Sequence, residues 1–185
     1  MEWSDKIWPL IQKLNNSGKH SVIIQGDCWT NNILFHYPAN SDKPDALAFV
    51  DFQLYQWARP AFELLYVFYI SARLDVLQND FETLLDYYLK VVQDTLKQLG
   101  IPPSTFTKED LRADIDECLI YGIFTTWAVH VITQAPAGEH LELSALFNGE
   151  AIMEGSVWRT IISQDQDLKK FIQAALDQAT KKGLL

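Results

Sequence analysis

Three oxygen-bearing side chains stand in an order that suits metal-assisted phosphoryl transfer: Asp27, Asn32 and Asp51. The first two belong to Gln25-Gly26-Asp27-Cys28-Trp29-Thr30-Asn31-Asn32 and the third to Phe49-Val50-Asp51-Phe52. A carboxylate such as Asp27 orients or accepts the proton of an attacking hydroxyl, while an amide oxygen and a second carboxylate hold a hard cation against phosphate oxygens. Asp and Asn are also common turn and cap residues at strand ends, and taken singly that plainer explanation prevails. The three in order, each beside a short apolar run, point to a phosphotransferase site.

The apolar runs supply the elements that must position them. Ser21-Val22-Ile23-Ile24, Ile33-Leu34-Phe35 and Ala46-Leu47-Ala48-Phe49-Val50 predict three strands. The stretch 38–45, dense in Pro, Asn, Ser and Asp, predicts a turn that pairs the second and third as an antiparallel hairpin. That pairing sets Asn32 and Asp51 at one end, and the loop before Asn32 aims Asp27 at the space beyond. Pro60 opens a helix through Leu64, Leu65, Phe68 and Ala72, expected to follow directly from the third strand.

Further along, Phe81, Leu84, Leu85, Tyr88, Val92, Leu96 and Leu99 predict a long helix stopped by Gly100, Pro102 and Pro103. Thr107 and Asp110 form a capping box ahead of Leu111, Ile115, Leu119, Ile123, Trp127 and Val131, a helix expected at the centre of the fold. A last helix holds Leu168, Phe171, Ile172, Ala175, Leu176 and Ala179, with Lys181 and Lys182 near its negative end and Gly183 just after. The opening residues Ile7 to Leu14 predict a helix ended by Asn15-Asn16-Ser17-Gly18, packed under the catalytic loop, with Pro9 confined to its first turn. Residues 135–155 have weak periodicity and read as a surface connection or a substrate-side loop.

Gly26-Asp27-Cys28-Trp29-Thr30-Asn31-Asn32, Val50-Asp51-Phe52-Gln53 and Pro60-Ala61-Phe62-Glu63-Leu64-Leu65-Tyr66 resemble the ecdysteroid kinase-like family, which belongs with the choline kinase and aminoglycoside phosphotransferase group. The helical remainder, including Leu119-Ile120-Tyr121-Gly122, resembles that family's carboxy-terminal lobe as well. The resemblance implies an α+β fold, a mainly helical protein-kinase-like C-lobe with a small antiparallel hairpin carrying the catalytic and metal residues. It implies Asp27 as catalytic base, Asn32 and Asp51 as ligands of Mg2+, ATP as phosphate donor, and a hydroxylated small-molecule acceptor such as an ecdysteroid, another hydroxylated lipid or a xenobiotic.

Two positions depart from the family pattern. Gln25 replaces the usual His, so a titrating role is lost while hydrogen bonding to the loop backbone is retained. Glu63 replaces the usual Asp, where a carboxylate bonds backbone donors of the catalytic loop or its own helix terminus. Trp29 reads either as a stacking surface for substrate or as an anchor for the loop backbone. Only 26 residues precede Asp27, with no Gly-rich phosphate loop and no strand Lys among them. The expected organisation is therefore one domain, residues 1–185, a kinase-like carboxy-terminal lobe without the nucleotide-binding lobe and inactive as an isolated fragment. A noncatalytic kinase-like binding protein or a truncated product is the alternative.

Composition fits one such lobe, since 48% apolar residues in 185 support a real core. The net charge of −9 argues against nucleic acid as partner, since no basic stripe is present for a phosphate backbone. Cys28 and Cys118 give no disulfide framework, and Cys28 reads as a packed residue. His20, His36, His130 and His140 lack the spacing of a zinc pair. No leader pattern opens the sequence, and the longest uncharged run, Cys118 to Ile132, falls short of a spanning helix. The expectation is a cytoplasmic protein with no membrane partner. The face toward a missing upper lobe is expected to expose apolar surface and favour self-association.

Overall fold

Residues 3–15, 18–133, 135, 141, 153 and 155–181 are described by the computed structural model, and they form an α+β arrangement. In chain order these are α1 (Trp3–Asn15), β1 (Val22–Ile24), a 3-10 turn (Thr30–Asn32), β2 (Ile33–His36), β3 (Ala46–Phe49) and β4 (Gln56–Ala58). There follow α2 (Pro60–Ser71), α3 (Leu74–Asn79), α4 (Phe81–Gln98), α5 (Lys108–Thr125), a π-helical turn (Thr126–His130), α6 (Val131–Thr133), α7 (Val157–Gln164) and α8 (Gln166–Lys181).

The expected hairpin forms, β2 and β3 pairing antiparallel with Ile33 opposite Phe49 and His36 opposite Ala46. β1 does not join it. It pairs antiparallel with β4, a strand sequence reading did not assign, with Ile23 opposite Trp57. A second two-stranded sheet therefore stands beside the hairpin, and α2 follows β4 rather than β3, the strand that leads to Asp51. Short β4 escaped notice because Gln-Trp-Ala shows neither alternation nor an apolar run.

Helices supply the core. α2 is apolar on nearly every side, and it buries Ala61, Leu65 and Tyr69 completely. Its main partner is α5, whose Cys118 and Leu119 are also fully enclosed. Gly122 permits their close approach, since a Cβ there would stand 3.2 Å from the Tyr69 ring and 3.4 Å from Leu65. Pro103–Thr133 is long and apolar enough by length and composition to cross a membrane, yet 61% of its most apolar window is buried inside this fold.

α5 starts as its sequence dictates. Asp110 N–H donates to Thr107 Oγ1 at 3.1 Å, and Thr107 N–H donates to Asp110 Oδ2 at 3.0 Å. Bonds from Lys19 and then Thr107 hold the Asp110 carboxyl well below the usual carboxylate range. A depressed folded value stabilises the fold above the unfolded Asp value of about 4, and that contribution drains as pH falls below it. The apolar repeat of exactly four residues from Leu111 to Val131 outruns a 3.6-residue turn, and the π-turn takes up part of the lead. There the burial shifts by one position, with Trp127 half-buried and Ala128 fully enclosed.

Beneath β4 lies a buried charge cluster that sequence reading did not anticipate. Arg59, 3% exposed, donates through Nε to Asp114 Oδ1 at 2.5 Å and through Nη2 to Glu117 Oε2 at 2.7 Å. Asp114 also accepts from the Ala61 N–H at 3.1 Å, fixing the start of α2 onto α5. Burial opposes the Arg59 charge, but the bonds to Glu117 and Asp114 outweigh it and hold the guanidinium above its ordinary value.

α1 begins at Trp3, so Pro9 lies inside the helix rather than in its first turn; its ring is exposed, where the lost hydrogen bond disturbs no packing. α1 rests against α5, with the Leu14 carbonyl accepting from Arg59 Nη1 at 3.4 Å. The last helix, Gln166–Lys181, holds the residues expected of it, and α7, which sequence reading did not assign, precedes it, capped by Ser156. Asn16, Ser17, His140, Lys182, Gly183 and most of the 135–155 segment lie outside the described residues.

Candidate active site

The loop from Gln25 to Asn32 is shaped by β1 behind it and β2 ahead of it, and its backbone is fastened from the α2 side by one side chain. Glu63 receives the Gln25 N–H at 2.8 Å on Oε1 and the Gly26 N–H at 3.1 Å on Oε2. The longer glutamate thus reaches both consecutive loop donors. Further along α2, the Ser71 hydroxyl accepts the Thr30 N–H at 3.0 Å. Gly26 has φ +86°, and a Cβ there would lie 2.1 Å from the Leu54 carbonyl oxygen, so the turn after β3 closes directly onto the loop.

Gln25, only 6% exposed, joins the two acidic segments. Its Oε1 accepts from the Asp27 N–H at 2.7 Å, while its Nε2 donates to the carbonyls of Val50 at 2.9 Å and Asp51 at 2.7 Å. An amide performs this bridge because it offers an acceptor and two donors at once. Asp51 itself stands at φ +57°, a left-handed conformation that non-Gly residues adopt rarely, and the two bonds from Gln25 hold the chain on either side. Its residue is exposed to solvent.

Asp27 is half-buried, with both carboxylate oxygens engaged. Asn32 Nδ2 donates to Oδ2 at 3.0 Å and to the Asp27 carbonyl at 2.9 Å, and the Tyr66 hydroxyl donates to Oδ1 at 2.6 Å. With its amide nitrogen so used, Asn32 keeps Oδ1 as the atom a cation would take. The Val50 N–H donates to the Asn32 carbonyl at 3.0 Å, which continues the hairpin by one pair toward Asp51. Asn32 and Asp51 are thus adjacent in the pairing, and Gln25 ties Asp27 to the same end.

Trp29 is half-buried in the loop, where its carbonyl accepts from the Asn32 N–H at 2.9 Å. Cys28 is buried, and burial first, with Glu63 and Asp27 adding repulsion, pushes its thiol up to about 11. It is a protonated packing residue at neutral pH. The Tyr66 bond to Asp27 was not foreseen from the sequence. The available signal was its position three residues after Glu63, on the same helical face.

These features fit the grouping suggested by the motifs, and the comparison decides it: the ecdysteroid kinase-like family model matches residues 2–101. The chain belongs to the ecdysteroid kinase-like family. The match takes in every site residue above and ends before α5, whereas the resemblance in sequence ran on through Gly122. No curated protein and no solved structure matches. Membership makes this a kinase-like chain of phosphotransferase type, and kinase-like proteins generally use ATP and Mg2+.

The donor chemistry at this end of the hairpin is compatible with that ion. Asn32 Oδ1 and the Asp51 carboxylate are hard oxygen donors, and Mg2+ takes one or two protein ligands with phosphate oxygens and water completing the shell. Among the described residues no group of three or more His, Cys, Asp and Glu gathers into an all-protein cage. An ion held here would therefore depend on phosphate oxygens for part of its shell.

Proposed function

We propose that this chain is the catalytic and metal-binding lobe of an ATP-dependent phosphotransferase acting on a hydroxyl of a small molecule. The observation that carries it is the Gln25 bridge, one buried amide that holds the Asp27 N–H and the Asp51 carbonyl at 2.7 Å each. Such a link gives the two acidic segments a fixed separation, which positioning catalysis needs.

Asp27 receives the proton of the acceptor hydroxyl as that oxygen bonds to the γ-phosphorus and the bond to the β-phosphate oxygen breaks. Asn32 Oδ1 and Asp51 hold Mg2+, which neutralises charge on the phosphate groups when bound. Glu63 and Gln25 act through the loop, keeping its backbone in place. The strained backbone at Asp51 supports this assignment, since such conformations cluster where a ligand must be aimed. Acceptors with several hydroxyls, ecdysteroids or other lipids and xenobiotics among them, suit the family but are not distinguished by these contacts.

The exposed sheet faces fit a nucleotide lobe supplied by the same or another chain. Ile23 and Trp57, opposite one another across β1 and β4, are 71% and 67% exposed, and Leu34 and Leu47 on the hairpin are exposed as well.

The reading is tested by titrating ATP into the 185-residue chain with Mg2+ and again with the metal chelated. Binding that requires Mg2+ is expected, with Asp51→Asn weakening it at least about tenfold, about 1.4 kcal/mol. Binding indifferent to both metal and substitution would contradict the metal role of Asp51.

A further inference from the structure

Asp27 is gripped on both oxygens, and the second grip comes from a residue outside the motif set. Tyr66 donates its hydroxyl to Oδ1 at 2.6 Å, a short charge-assisted contact, while Asn32 holds Oδ2 at 3.0 Å. The phenol is not a mobile surface group. It is 9% exposed on α2, one turn beyond the Glu63 carboxylate that fastens the loop. Its ring stacks on Tyr121 of α5, with centroids 6.5 Å apart and planes at 23°, and Tyr121 packs in turn on Phe62 at 4.4 Å. The hydroxyl is therefore presented from the rigid α2–α5 core, whereas Asn32 belongs to the hairpin.

We propose that Tyr66 is a positioning residue for Asp27: its hydroxyl and the Asn32 amide clamp the carboxylate between core and hairpin, so that Asp27 meets the acceptor hydroxyl in one rotamer. This rests on the reading of Asp27 as the group that takes the acceptor proton. The clamp requires Tyr66 to remain a donor, and burial first, then its bond to Asp27, raises its ionisation above the ordinary phenol range. Each carboxylate oxygen keeps a further lone pair, so a clamped Asp27 retains capacity to accept. Loss of the clamp would lower the turnover of the complete phosphotransferase more than its affinity for substrate, since only orientation is removed.

The test is made by NMR on the 185-residue chain. In the wild type, the Hα–Hβ couplings of Asp27 are expected at the limiting values of one staggered rotamer, either one large and one small or both small, and the Tyr66 hydroxyl proton is expected downfield and slow to exchange. Tyr66→Phe keeps the ring but removes the donor, and the two couplings should then average. Couplings that keep their wild-type limiting values in Tyr66→Phe would overturn the proposal. If that variant does not fold, Asp27→Ala replaces it: the Tyr66 hydroxyl proton should move upfield and exchange faster, and an unchanged signal would overturn the clamp. These readouts report the clamp itself, while the Mg2+-dependent ATP titration reports the phosphotransferase reading, so either can fail without the other.

Discussion

Gly26→Ala is expected to destabilise the chain by about 3 kcal/mol or more and to remove Mg2+-dependent ATP binding with it. Two costs combine at this position. At φ +86° an L side chain is strained whatever space surrounds it. Space is also lacking, because the new Cβ would fall 2.1 Å from the Leu54 carbonyl oxygen, a backbone atom that cannot rotate away. Relief requires the loop to leave the 52–55 turn. That movement would pull Gly26 N–H from Glu63 Oε2 and strain the Gln25 bridge to Val50 and Asp51. Urea unfolding followed by tryptophan fluorescence measures the first effect and calorimetric titration the second. A variant with wild-type midpoint and wild-type ATP affinity would show that the close approach at Gly26 is not what shapes the loop.

Arg59→Ala has the second large effect, about 3–5 kcal/mol of lost stability, because it leaves Asp114 charged, nearly enclosed and without its cation. Side-chain exposure is 3% for Arg59 and 9% for Asp114, so water cannot readily replace the guanidinium. The Glu117 contact contributes less, since that carboxylate is 60% exposed and solvent screens it. A double variant separates these contributions. Arg59→Ala with Asp114→Asn removes both charges and keeps an acceptor for the Ala61 N–H, so it should recover part of the loss although the arginine stem is gone in both variants. Equal destabilisation of the single and double variants would mean that packing of the arginine stem, rather than the unpaired carboxylate, sets the cost.

What the sequence disclosed and what it withheld divide along physical lines. Helices with long amphipathic periods were legible, α4 within a residue and α5 with its Thr107–Asp110 box, because period and cap agree. The hairpin was legible through its turn-rich connection and fixed Asn32 beside Asp51. The partner of β1 was not, since antiparallel pairing across more than thirty intervening residues leaves no local mark and β4 is only three residues long. Asp27, Asn32 and Asp51 were singled out by type and order, whereas their joining through Gln25 and Glu63 depends on side-chain reach across the fold. Tyr66 was the subtlest: on helix α2 it reads as core, and its ring is core, while its single polar atom contacts Asp27. An amphipathic side chain with an apolar body and a polar tip will be assigned by its body whenever only sequence periodicity is considered.

The most direct test of the central claim is to replace Mg2+ by paramagnetic Mn2+ and map the broadening of backbone amide signals in the presence of ATP. A cation held by Asn32 and Asp51 should broaden the amides of those residues and of Asp27 and Val50 first, with Asp51→Asn abolishing the effect at the same Mn2+ concentration. Broadening confined to the exposed carboxylates Asp42 and Asp45 of the hairpin turn, or untouched by Asp51→Asn, would contradict a phosphotransferase metal site at this end of the hairpin.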